Sequence, residues 1–118
     1  MILNDNMREL TKKEALIREN LVNAGEEARL IKHSKTGRYY LILENEAYDS
    51  ETREKVVVYK ALYGQGTVWV RPASMFNDDV EINGVIVKRF VPAIDDPDAL
   101  KALSDFFSLK ISPNDKSF

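Results

Sequence analysis

An α+β fold, a small and highly curved antiparallel β-barrel of SH3-like size with a helix at each end, is what this sequence predicts. Three observations predict it. Period-two apolar segments punctuated by glycine turns fill residues 28–92. An amphipathic, well-capped segment precedes them, and a second one, opening at Asp96-Pro97, follows. With 118 residues the chain is sized for one domain, divided into a helical extension (1–27), the β-barrel core (28–92) and a C-terminal helix with a tail (93–118).

The first helix is expected over 11–24. Thr11 followed by Glu14 makes a capping box, and Gly25 suits the left-handed position that ends a helix. Leu10, Ala15, Leu16, Ile17, Leu21 and Val22 form a broad apolar stripe that must cover the β core or a second subunit. Strands are expected at 29–33 and 39–45 around a turn where Gly37 takes positive φ. A polar loop, 46–54, leads to the strongest strand, 55–63, which Gly64-Gln65-Gly66 turns into 67–71. Pro72 ends the ladder because it has no N–H. Asn83-Gly84 between two β-branched triplets is the strongest hairpin signal. Asp96 and Pro97 then suit the N-cap and first position of a helix over 97–107 carrying Leu100, Leu103, Phe106 and Phe107. The tail 108–118 is polar.

Composition excludes several functions. Seventeen basic residues against nineteen acidic ones give a formal charge of −2, so nothing drives the chain toward DNA, RNA or an anionic membrane. Without cysteine there is no disulfide, thiol nucleophile or thiolate metal site, which suits a reducing compartment. MILNDNMREL has neither the basic nor the long apolar region of a signal peptide, and no apolar run approaches the roughly 20 residues of a membrane span. The expected location is cytoplasmic, in a bacterium or a phage-infected cell.

No catalytic or metal-binding group is expected, and no cofactor. His33 is the only histidine, so a metal site has no second imidazole, and Ser34 or Ser74 beside it lacks a nucleophile-elbow context. Glu46, Asp49 and Glu51 lack the glycine and donor spacing of a calcium loop. Gly64-Gln65-Gly66 is too short for a phosphate loop.

The central hairpin carries the one chemically suggestive pattern. Across a three-residue loop Tyr63 would oppose Thr67, Ala61 would oppose Trp69, and Tyr59 would oppose Arg71. Alternation then puts Tyr59, Tyr63, Trp69 and Arg71 on one face and Val58, Leu62, Val68 and Val70 on the other, taken as core. Lys60 fits that core awkwardly. Two phenols, an indole and a guanidinium can stack on a planar ligand, bind an anion or anchor a peptide. The same residues can equally pack under a helix or loop, with Arg71 bonding main-chain carbonyls.

At these residues the chain resembles a known family. SETREKVVVYKALYG, VWVRP, MF and KRF match, in order and spacing, an uncharacterised domain of bacteria and their phages, DUF1653-like. The resemblance spans residues 28–92. It implies a small β-rich fold and no activity, with recurrent polar or aromatic positions falling on Tyr59, Tyr63, Trp69, Arg71, Arg89 and Phe90. The chain departs from the short form of that family by a helix at each end and by Asn45-Glu46-Ala47-Tyr48 in the loop before SET.

Two functions follow as expectations. One is a non-enzymatic binding module that uses Tyr59, Tyr63, Trp69, Arg71 and Arg89 to hold a nucleotide-like small molecule or a peptide, such as a phage-borne sponge for a nucleotide signal. The other is a structural or interaction protein that oligomerises through its terminal helices and takes no small ligand.

Overall fold

The computed structural model describes residues 8–110, with the side chains of 107–110 left aside; residues 1–7 and the tail from 111 lie outside the described residues. Helix α1 spans Lys12–Asn23. Both halves of its capping box are made: Thr11 Oγ1 accepts the Glu14 N–H at 3.1 Å, and Glu14 Oε1 accepts the Thr11 N–H at 3.0 Å. Its exit is a Schellman motif. With Gly25 at φ 72°, the Gly25 N–H reaches Val22 O at 3.0 Å and the Glu26 N–H reaches Leu21 O at 2.8 Å.

The inward stripe of α1 is narrower than expected. Leu10, Ile17 and Leu21 pack inward, whereas Leu16 and Val22 are exposed. The position between the inward apolar residues is the buried Glu14. Its carboxylate is satisfied there by a two-pronged ion pair with Arg8, at 2.6 and 2.8 Å. Arg8 also donates to Pro97 O at 3.1 Å and lies 3.4 Å from Asp98, so it ties α1 to the start of the last helix, α3 (Pro97–Lys110).

This pair, aided by the Thr11 N–H and opposed by burial, lowers the Glu14 pKa from 4.5 to about 2. A depressed carboxylate contributes stability that is complete above its unfolded pKa and is lost as pH falls through its folded one. The expected result is therefore a loss of about 2 kcal/mol at neutral pH for Glu14→Gln. Stability should also fall less between pH 4.5 and 2 in the variant than in the parent. Urea midpoints measured across that range check both.

The main sheet is five-stranded and antiparallel, in the order β4-β3-β2-β1-β7. Its strands are β1 (Leu30–His33), β2 (Tyr39–Tyr48), β3 (Lys55–Ala61), β4 (Val68–Pro72) and β7 (Phe90–Pro92). The tetrapeptide α2 (Ala73–Phe76) follows β4 directly. The hairpin of β5 (Asp79–Ile82) and β6 (Val85–Lys88) is a separate two-stranded sheet, turned by Asn83 and Gly84 at φ 51° and 80° as expected. Strand β2 runs to Tyr48, into the segment read as loop, through register shifts between Ile42 and Glu44 and between Glu44 and Ala47. Helix α3 likewise runs beyond the expected 107.

The β3–β4 register differs from the expected one. Tyr59 faces Trp69, Val57 faces Arg71 and Val58 faces Val70. The connection is longer than three residues: strand pairing stops at Ala61, whose N–H bonds Thr67 O at 2.9 Å, and Gly64 and Gly66 both take positive φ. Because the slip is by an even number, side chains keep their relative faces.

Both faces are buried at the centre of the sheet: of the residues taken as core Leu62 is buried and Val58 half-buried, but the aromatic face is buried as well, and here the reading of the sequence is corrected. Tyr59, with Val57 and Ala61, lies in a buried cluster with Ile31, Tyr40, Phe76 and Phe90. Phe76 stacks on Phe90 at 4.6 Å, and both meet the Tyr59 ring edge-on, at 5.0 and 5.8 Å. The opposite face is covered by helices, which bury Leu30 and Leu62 with Ala93, Ala99, Leu100 and Leu103. That cover stops short of the edge strand, so Val68 and Val70, taken as core, are 50% and 62% exposed. Lys60 sits at the margin of the cover, where its ammonium bonds Gly66 O at 2.7 Å and lies over the Phe106 ring. The sheet has two free edges, β4 and β7, and no closed barrel is present among the described strands.

Candidate ligand-binding site

The aromatic face has a buried floor and a more exposed rim. Tyr59 belongs to the floor, at 7% exposure, and cannot stack on a ligand without the cluster opening. Trp69, paired across the strands with Tyr59, is 49% exposed on the edge strand. Arg71 is half-buried on the same strand, and its guanidinium makes no hydrogen bond or ion pair among the described residues. Tyr63 lies just past the end of β3, half-buried, with its hydroxyl 2.7 Å from that of Tyr40. Arg89, between β6 and β7, pairs with Asp78 at 2.6 Å and holds that carboxyl below its usual range.

Of the five residues expected to bind, the structure thus leaves Trp69, Arg71 and Tyr63 accessible, commits Arg89 to an ion pair and buries Tyr59.

Three side chains that the sequence left out of the face join it. Arg38 lies over the Tyr63 ring at 4.4 Å. Tyr40 supports Tyr63 from below. Its own ionisation is pushed up by burial and then by the Tyr63 hydroxyl, so it stays a neutral hydroxyl at physiological pH. His33 closes the rim at the end of β1, its ring edge-on to Phe90 at 5.2 Å. Alternation along β1 and β2 was the available signal: Ile31 and His33 share a face, as do Tyr40 and Ile42, once each strand's inward side is known.

His33 is electrically distinctive. Nδ1 accepts the Lys35 and Thr36 N–H groups at 3.2 and 3.3 Å, which assigns the proton of the neutral ring to Nε2. Burial lowers its pKa, and Arg89, Arg71 and Lys35 lower it further. The rim around it is therefore positive, with Asp78 as counter-charge to Arg89.

Elsewhere, an open groove of about 250 Å³ lies between α1, α3 and β2, lined by Leu21, Leu41, Leu43 and Leu103. Its one guanidinium, Arg29, is already used on the carbonyls of Ile42 and Leu43 and on Glu26. Among the described residues no cluster of histidine and carboxylate side chains could hold a metal ion, and no helix is long and apolar enough to cross a membrane.

Fold and site together define a small α+β domain in which an open antiparallel sheet carries an aromatic face edged by cationic side chains. The chain belongs to the family described as protein of unknown function, DUF1653, whose sequence model matches residues 30–92, that is, from the first residue of β1 to the last of β7. No curated protein and no solved structure gives a significant match.

Proposed function

We propose that this domain is a non-enzymatic binding module, and that the rim of Trp69, Tyr63, Arg71, Arg38 and His33 takes a small planar anion of nucleotide type. The observation that carries the proposal is the half-exposed indole of Trp69 on the same strand face as Arg71, whose guanidinium feels the Asp78 carboxylate but makes no hydrogen bond or ion pair among the described residues. An exposed indole offers a stacking platform, and a guanidinium whose N–H groups are not hydrogen-bonded offers a fork for oxyanions. The rim carries no activated nucleophile or acid–base pair. The open, bent sheet is an incomplete SH3-like barrel in this reading, and a cytoplasmic sponge for a nucleotide signal is the cellular role that suits it.

Trp69→Ala and Arg71→Ala provide the test. Both side chains are partly in water, so each variant should lose no more than about 1 kcal/mol of stability. Each should also abolish the thermal shift and the change in Trp69 emission that AMP causes in the parent chain, emission being read in the Arg71 variant only. A parent chain that responds to no purine or pyrimidine nucleotide would sink the reading.

One observation favours the rival interaction-protein reading. Val68, Trp69 and Val70 are all exposed on β4, a sheet edge without a neighbouring strand among the described residues. That reading moves oligomerisation from the terminal helices, whose inner faces are spent on the sheet, to this edge. Val70→Lys should then dissociate the oligomer in light scattering, and a monomeric parent would rule it out.

A further inference from the structure

The rim has two chemically different ends, and the charged end is more specific than the aromatic one. His33 pairs with Phe90 across β1 and β7, and the Ser34 N–H bonds Arg89 O at 2.8 Å, so His33 and Arg89 are held on neighbouring backbone. Arg71 lies within electrostatic reach of both His33 and the Asp78 that pairs with Arg89, and the segment that follows it, Pro72 and α2, packs Phe76 onto Phe90. Phe90 is thus the hub of the arrangement, touched by His33 at its edge and by Phe76 on its face.

We propose that His33, Arg71 and Arg89, with Lys35 at the margin, form a subsite for a phosphate group, the neutral His33 ring donating from Nε2. The inference deepens the binding reading above and rests on it for the position of the ligand's planar part.

The polar accounting supports an oxyanion. Nδ1 is spent on two backbone donors, which leaves Nε2–H as the free donor of the ring. The groups facing it are Arg89 and its partner Asp78 from the segments flanking the β5–β6 hairpin, Arg71 from β4, and Lys35 from its own turn. Arg38 is turned to Tyr63. Three cations against one carboxylate leave excess positive charge with a hydrogen-bond donor inside it, the arrangement a phosphate dianion complements. Burial and these cations lower the pKa of the ring, whose neutral form donates from Nε2.

Because His33 is the only histidine, its ring resonances are unambiguous in a proton–carbon spectrum of the full chain. Its titration is followed from pH 5 to 8 in chloride and in inorganic phosphate at equal ionic strength. In chloride the pKa should lie below the ordinary 6.5. Phosphate should raise it by about half a unit or more, since a bound anion favours the charged ring. Arg71→Ala should raise the pKa in chloride and cancel the phosphate response, whereas Arg71→Lys should keep the chloride value low.

No response to phosphate, or an equal response in Arg71→Ala, overturns the subsite. Trp69 emission, read with adenosine and with AMP, separates this failure from that of the binding reading. If adenosine changes the emission while phosphate leaves His33 unmoved, stacking stands and the subsite falls. If phosphate moves His33 but neither compound touches Trp69, the subsite stands and the stacking reading falls.

Discussion

Tyr59→Ala should cost roughly 3–5 kcal/mol, one of the two largest losses expected from a single truncation in this chain. The ring is 7% exposed and meets three aromatic neighbours: Phe76 at 5.0 Å, Tyr40 at 5.5 Å and Phe90 at 5.8 Å. Removing it leaves a cavity that these rings cannot fill, because Phe76 and Phe90 are already stacked and Tyr40 is tied to Tyr63. Tyr59→Phe keeps the shape and should cost less than about 1 kcal/mol. Urea midpoints for the two variants decide the matter: a small loss for the alanine variant would mean that Tyr59 stands free and is not part of a packed floor. The contrast with Trp69→Ala, directly across the strands, is the sharpest expected difference between floor and rim.

Leu100→Ala should cost roughly 3–4 kcal/mol. Leu100 is wholly buried among Leu30, Leu62, Ala93, Ala99 and Leu103, yet it lies outside the stretch that defines the family. The helix-side face of the sheet contributes Leu30 and Leu62 from within that stretch, and α1 and α3 supply what they pack against. The C-terminal helix is therefore part of the core. A fluorescent apolar dye should bind the variant more than the parent, and a loss below about 1 kcal/mol would show that the sheet stands without α3.

The sequence was most legible where a local rule acts alone. Thr11, Glu14 and Gly25 announced both ends of α1, Asn83-Gly84 announced its hairpin, and Asp96-Pro97 announced α3. The site was half legible. Alternation correctly put Tyr59, Trp69 and Arg71 on one side, because parity survives a slip by two. It could not say which side is inward, since the answer lies in α2: Phe76 and Phe90 reach Tyr59 only through tertiary packing. The exposed side was misjudged for a related reason. Val68 and Val70 have the composition of core, but they sit on an edge beyond the reach of α3. Arg38 was illegible as a site residue because a turn position carries no period from which a facing can be read, and His33, on the face of Ile31, needed the inward side of β1 to be known.

The pairing of Ile31 with Pro92 and of His33 with Phe90 joins nearly the two ends of the family stretch, while every other neighbouring pair in the sheet is consecutive in sequence. That topology sets an order of events in folding. The meander from β1 to β4 closes only short loops and can form early, whereas the β1–β7 ladder must close a long one and wait for the meander to exist. Phe90 arrives with that last ladder, and with it the hub on which His33 and Phe76 rest. The rim proposed to bind a ligand is thus expected to be completed last. In native-state hydrogen exchange the β7 amides should open at lower free energy than those of β3, taking the His33 end of the rim with them while the Tyr59–Trp69 pair stays closed.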